Sequence, residues 1–219
     1  MPSLAFIHTV PDLAATFRPL AAAILPDWTS FNIADESLLK NTIRDGALSV
    51  KTMQRLSQYI FLATEGGADA IVVTCSTLGG AVDLIRPLSS VPLFRIDRGM
   101  AVEAVRRAKR IGVLATLPTT LEPTRALLEE TAATAGKGCE ITSRLCEGAF
   151  ERLATGDRTG HDRLVIDGYR DLAASVELVV LAQASMAQAL SSVNEAPDVP
   201  VLTSPQLGMA HVAGLLAVL

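Results

Sequence analysis

The chain of 219 residues predicts an α/β protein of two pseudo-symmetric lobes, each a short, mostly parallel sheet flanked by helices. Three observations predict it. Short apolar runs alternate with helix-period segments along the whole length. One such run, Ile71-Val72-Val73, passes through Thr74 into Cys75-Ser76-Thr77-Leu78-Gly79-Gly80, which reads as a buried parallel strand turning into a helix. The third is a hidden repeat. Ile7-His8-Thr9-Val10-Pro11 matches Leu114-Ala115-Thr116-Leu117-Pro118 at an offset of 107 residues, and the run ending at Cys75 matches the run ending at Gln183 at an offset of 108. Pro92 and Pro200 each follow by 17 residues, inside similar Val-Pro strands.

In chain order, Leu4 to Val10 is expected as a first strand, and Pro11 suits the helix start that follows over 12–25, with Leu13, Phe17, Leu20, Ala21 and Ile24 at helical spacing. Trp28 to Ile33 reads as a second strand, and 35–46 as loop with a short helix. A helix over 50–65 stops at Gly66-Gly67, the strand ending near Cys75 comes next, then a helix over 78–88 and a strand at Val91–Ile96. Arg98 to Arg110 is a helix whose last turn collects Arg106, Arg107, Lys109 and Arg110, a solvated basic face. The second half repeats the alternation: strand 111–115, loop 116–120, helix 121–134, strand 139–144, helices 147–155 and 161–175, strand 177–181, helix 185–194, strand 199–202 and helix 206–218. The first lobe is expected over 1–97 with helix 206–219 joining it, and the second over 98–205. His161, in a polar turn beside Gly160 and Asp162, reads as a surface residue.

Composition narrows the function classes. Hydrophobic residues make up 49% and aromatics 4%, so the core is aliphatic, as parallel strands under Ala-rich helices require. A net charge of −4 without a basic run argues against nucleic acid as a partner. No apolar run approaches the ~18 residues of a membrane span, and Met1-Pro2-Ser3 does not open a signal peptide. Cys75, Cys139 and Cys146 are an odd set without C-x-x-C spacing, which predicts neither a disulfide framework nor a metal site and fits a reducing cytoplasm. A mean hydropathy of +0.36 suggests a buried apolar surface in a homo-oligomer.

Cys75, at the carboxyl end of a strand and beside the amides of a following helix, sits where open α/β sheets bind ligands and where a thiolate is favoured. The competing account is a small buried hydrophobe, the reading that also suits Cys139 and Cys146. By the repeat, Thr9, Cys75, Thr116 and Gln183 are expected to line a cleft where the strand ends of the lobes face one another.

The Val-Thr-Cys-Ser-Thr turn and the Gly112-Val113-Leu114-Ala115-Thr116 strand with Thr119 three residues on resemble the aspartate/glutamate (hydantoin) racemase superfamily over essentially the whole chain. The resemblance implies a cofactor-independent isomerase in which two cysteines, one per lobe, work on opposite faces of a small carboxylic or amino acid. Cys75 matches the first of them. Ser76, Thr77, Thr116, Thr119 and Thr120 fall at positions expected to hold carboxylate oxygens, with Thr9, Ala184 and Ser185 completing the substrate-binding set. The second cysteine is missing: Gln183 stands there, in Leu181-Ala182-Gln183-Ala184-Ser185. A carboxamide hydrogen-bonds but does not exchange a proton near neutral pH. His8 is the first candidate to fill the gap, with His211 and Asp97 behind it, so the catalytic set reads Cys75, Gln183 and His8. A single thiol also suits a decarboxylase or cis–trans isomerase of the same superfamily, or an inactive module that binds a small acid.

Overall fold

The structure is a computed structural model that describes residues 1–191 and 199–219. The chain divides into two compact units, one of residues 1–99 with 205–219 and the other of residues 100–204. In the first, strands β1 (Ser3–His8), β2 (Thr29–Ala34), β3 (Ala70–Val73) and β4 (Leu93–Arg95) pair in the order β2-β1-β3-β4. In the second, β5 (Arg110–Ala115), β6 (Glu140–Leu145), β7 (Leu178–Leu181) and β8 (Val201–Leu202) pair in the order β6-β5-β7-β8. Every pairing is parallel, and the second order repeats the first element for element. The α/β class with two look-alike sheets is therefore the architecture observed.

Both faces of the first sheet are covered, which is why its central strands are apolar without alternation. Ala5, Ile7, Ile71 and Val73 pack against α3 (Val50–Glu65) and α4 (Gly79–Ile85) through Leu56, Ile60, Ala63, Ala81 and Val82. Leu4, Phe6, Ala70 and Val72 point the other way, onto Phe17 and Ala21 of α1 (Leu13–Ile24) and Met209 and Val212 of α10 (Ser204–Leu216). The last helix thus belongs to the first sheet. Gly99 and Gly208 let the chain pass there at backbone distance, because a Cβ at either would strike the backbone of Leu207 or Ile96. In the second unit Leu114, Val179 and Leu181 meet Val165, Tyr169 and Leu172 of α8 (Arg158–Ala173) and Ala189 of α9 (Met186–Ser191).

Several elements differ from the expectation, each for a local reason. The 35–46 segment is a full helix, α2 (Glu36–Asp45): the Asp35 side chain caps it by accepting from the Ser37 N–H, and Gly46 ends it in the left-handed region at φ 66°. The stretch expected as one helix over 78–88 is a 3-10 turn at Ser76–Leu78, then α4, then a second 3-10 turn at Arg86–Leu88. Helix α5 (Arg98–Arg107) ends before Arg110, which opens β5. The loop expected at 116–120 already contains the start of α6 (Pro118–Thr134), since Pro118 occupies a first-turn position where no N–H is needed. After α7 (Ala149–Ala154), α8 starts at Arg158 under an Asp157 cap, which puts His161 inside its first turn at 1% exposure. His161 is therefore buried, not on the surface. Its Nδ1 meets Asp162 at 2.7 Å, and its Nε2 has no partner. The end of the helix expected over 185–194 lies outside the described residues.

Candidate active site

Parallel register sets up each strand end. Ile7 pairs with Val73 and Leu114 with Leu181, so two residues further on Thr9 stands beside Cys75 and Thr116 beside Gln183. The same pair of positions is thereby built twice.

In the first lobe, Cys75 precedes the Ser76–Leu78 turn, and its carbonyl accepts from the Leu78 N–H at 3.0 Å. The sulfur lies among four donors: the hydroxyls of Thr9 and Thr77 and the backbone N–H groups of Leu78 and Thr77. Burial nonetheless pushes the thiol above its ordinary pKa, and the donors only partly offset that. The strand-end position and the amides are present, and Cys75 itself is only partly buried. Ser76 and Thr77 are buried in the same turn. Gly79, the first of the paired glycines, has the Arg95 guanidinium packed on its Cα, where a Cβ would collide.

His8 has no open face. It is fully buried, with Nδ1 2.7 Å from the Thr74 hydroxyl and Nε2 2.9 Å from the Asn32 side-chain oxygen. Its ring stacks on Phe6 and tilts against Phe17. Burial lowers its pKa, against the Asn32 hydrogen bond, so it is held as a neutral link behind Thr9. With His8 neutral its Nε2–H donates to Asn32 and its Nδ1 accepts from the Thr74 hydroxyl, whose oxygen lies 3.2 Å from the Ile7 carbonyl where the ends of β1 and β3 meet. Asp97 is equally committed: Arg95 reaches it through two bonds of 2.7 and 2.9 Å and extends a third to Asp83. His211 is half-buried, and burial followed by the Arg98 charge lowers its pKa.

In the second lobe, the Gln183 Oε1 accepts from the Thr116 N–H at 2.7 Å and from the Thr116 hydroxyl at 3.0 Å. Two donors at one atom identify that atom as the oxygen, so the NH2 group is left for something else. Thr116 and Thr120 are buried at the entry to α6. The Thr119 hydroxyl is buried without a partner, and Pro123 has no N–H to offer the Thr119 carbonyl four residues back. Ala184 and Ser185 form the turn into α9, where the Met186 N–H returns to the Gln183 carbonyl at 3.2 Å. Cys146 leaves β6 sideways: its sulfur sits against Gly168 of α8, and burial raises its thiol to about 11. Among the described residues no three His, Cys, Asp or Glu side chains gather as a metal site, and no helix is long and apolar enough to cross a membrane.

Sequence reasoning missed Thr74, Asn32 and the Leu78 amide. It singled out Asp97 but not the Arg95 that holds it. The Arg95-Ile96-Asp97 spacing at the end of an apolar strand was the one local signal for that ion pair.

The family model for Asp/Glu/Hydantoin racemase matches residues 10–212. Among solved structures, the glutamate racemase of Francisella tularensis, in complex with D-glutamate, is similar at a TM-score of 0.76 and 16% identity, covering 99% of this chain and 81% of that one. Allantoin racemase from Klebsiella pneumoniae is similar at a TM-score of 0.70 and 20% identity, covering 100% and 89%. An unliganded arylmalonate decarboxylase is similar at a TM-score of 0.56 and 15% identity, covering 98% and 94%. A search of curated protein sequences finds no match. At these identities the structural likeness carries the fold and nothing finer.

Proposed function

Because this chain belongs to the Asp/Glu/hydantoin racemase family, we propose that it is a cofactor-independent isomerase-type enzyme acting on a small carboxylic or amino acid through the Cys75 thiolate. The observation that carries this reading is the sulfur at the end of β3 with four donors around it. A buried hydrophobic cysteine needs no such ring. A thiolate does, and the donors are in place before it forms. In the reaction the sulfur takes the α-proton, the electron pair of the broken C–H bond passes into the carboxylate as an enediolate, and hydroxyl and amide donors hold the developing charge. Within the first lobe Ser76 and Thr77 are assigned as carboxylate donors; within the second, taken by itself, Thr116, Thr119, Thr120, Ala184 and Ser185 are the assigned set, and the unpartnered Thr119 hydroxyl supports it. His8 is assigned to fix Thr74 and the strand end rather than to exchange protons.

Cys75→Ala tests the assignment. Turnover of L- and D-aspartate and glutamate, followed by circular dichroism of the reaction, is expected to fall by at least about 10³-fold while the fold is retained. Undiminished turnover in the variant removes the sulfur from the mechanism. Gln183 favours a second, one-thiol form of the same chemistry, a decarboxylase or a cis–trans isomerase, and it also suits an inactive module that binds a small acid. Protection of Cys75 from alkylation by small dicarboxylates, without turnover of any of them, would favour the module. The homo-oligomer and the cytoplasmic setting remain part of the proposal. Phe61, Leu62, Leu84 and Leu88 on the surface of the first lobe support the former, and sedimentation velocity reads it.

A further inference from the structure

We infer that Arg95 is a positioning residue for Cys75: its guanidinium, locked between Asp97 and Asp83, lies against Gly79 and fixes the Ser76–Leu78 turn whose backbone N–H groups face the sulfur. The inference deepens the Cys75 reading, rests on it, and concerns the first lobe alone.

Three observations carry it. The first is register. Val73 pairs with Arg95, and the Ile96 N–H donates to the Val73 carbonyl at 3.1 Å, so Arg95 leaves β4 beside the end of the strand that delivers Cys75. The second is a close approach. A Cβ at Gly79 would fall on Nη2 and Cζ of Arg95, so the guanidinium fills the space where any other residue would carry its side chain. Asp83, four residues further along α4, accepts from the Arg95 Nη1, so one guanidinium spans a turn of a single helix face. The third is continuity. The Leu78 N–H donates to the Cys75 carbonyl at 3.0 Å, and the Gly79 N–H donates to the Ser76 carbonyl. The turn after the sulfur and the first residue of α4 are therefore one hydrogen-bonded unit, and a shift of Gly79 carries the Thr77 and Leu78 N–H groups with it.

The charges around this contact are set by several elements. Arg95 is 4% exposed and Asp97 is fully buried, while Arg86 and Arg98 also approach Asp83. On α10, His211 senses the Arg98 charge. Arg95 keeps its proton throughout the working pH range. Burial opposes ionisation of Asp83, yet the charges of Arg95 and Arg86 hold it below the ordinary carboxylate range. A buried ion pair adds little stability over an apolar group of the same volume, whereas its forked geometry is specific in direction. What it supplies here is placement. The groups bonded to the sulfur are neutral hydroxyls and amides, so Arg95 acts on Cys75 through their alignment.

The experiment follows alkylation of Cys75 in the folded full chain by iodoacetamide across the thiol titration range, with peptide mass spectrometry separating it from Cys139 and Cys146. Gly79→Ala drives a methyl group onto the guanidinium. Arg95→Lys keeps the charge but loses the fork, and it keeps the test open where Gly79→Ala does not fold. Each is expected to raise the pH midpoint of alkylation by about one unit, a tenfold loss of thiolate at fixed pH. In the double variant the rise is expected to fall short of the sum, because lysine has no atom at the Nη2 position. Val212→Ala, a core truncation on the other face of the sheet, is expected to lower the melting temperature and leave the midpoint unmoved. In turnover, Arg95→Lys is expected to lower kcat about tenfold with KM held within about twofold. An unmoved midpoint in either folded variant would overturn the inference, as would full additivity in the double variant or an equal shift in Val212→Ala. Undiminished turnover in Cys75→Ala is a different result, which removes the Cys75 reading itself and this inference with it.

Discussion

The two lobes use one strand order and one register to end in different chemistry. In the first, Thr9 donates to a sulfur; in the second, Thr116 donates to a carboxamide oxygen. At the next strand over, β4 runs into Arg95 and Asp97, whereas β8 runs into Thr203 and Pro205, the matching positions of the repeat. The backbone therefore supplies a frame for groups at strand ends, and what the frame does depends on one or two side chains. Such a frame tolerates exchange at its ends because those positions lie outside the hydrogen-bonded ladder.

The sharpest way to break the comparison is to exchange its thiols. Cys75→Ser is expected to lose turnover by about 10³-fold, since a hydroxyl is a far poorer proton carrier, while Cys146→Ala in the other lobe is expected to leave it within twofold. Equal effects in a steady-state assay would erase the distinction between the lobes. Next comes the ion cluster at the end of β4, where Arg95 joins Asp83 and Asp97. Asp97→Ala leaves the buried Arg95 with Asp83 alone and is expected to cost about 3 kcal/mol in denaturant unfolding, more than any single change at Thr203. A cost under about 1 kcal/mol would make the cluster dispensable.

The pH profile reads the thiol more gently. The base must be deprotonated, so kcat/KM is expected to rise about tenfold per pH unit and to keep rising past the ordinary thiol pKa of about 8.5, because burial raises the Cys75 value. The same shift means the folded state retains a proton that the unfolded chain releases. Its contribution to stability is therefore complete below the unfolded pKa and lost as pH climbs through the folded one. A profile levelling off below pH 8 would show that the donors, not burial, dominate. The smallest effect belongs to the second lobe: Thr116→Val keeps the N–H bond to Gln183 but loses the hydroxyl one, and KM is expected to rise about fivefold.

Much of this was legible locally. Strands β1, β3, β5 and β7 announce themselves as apolar runs because both faces are covered, and the repeat aligned Cys75 with Gln183 before any pairing was known. Where a reading failed, a contact distant in sequence was responsible. His8 looks like a free acid–base group until Thr74 and Asn32 claim both ring nitrogens. His161 sits among polar residues, yet the Asp157 cap draws it into a helix whose inner face is packed. Cys75 has the neighbours of a thiolate, but how dry its surroundings are depends on elements that no strand-end pattern records.

The sequence by itself determined the class of fold, the doubling of the sheet and the one thiol and one amide at matching strand ends, because periodicity and composition are properties of adjacent residues. Only the tertiary structure decided which way the Gln183 amide faces, that His8 is closed off, and that the Cys75 thiol is raised rather than lowered. Hydrogen-bond partners 66 or 67 residues apart meet only once parallel strands are in register, and desolvation exists only once the layers close over them.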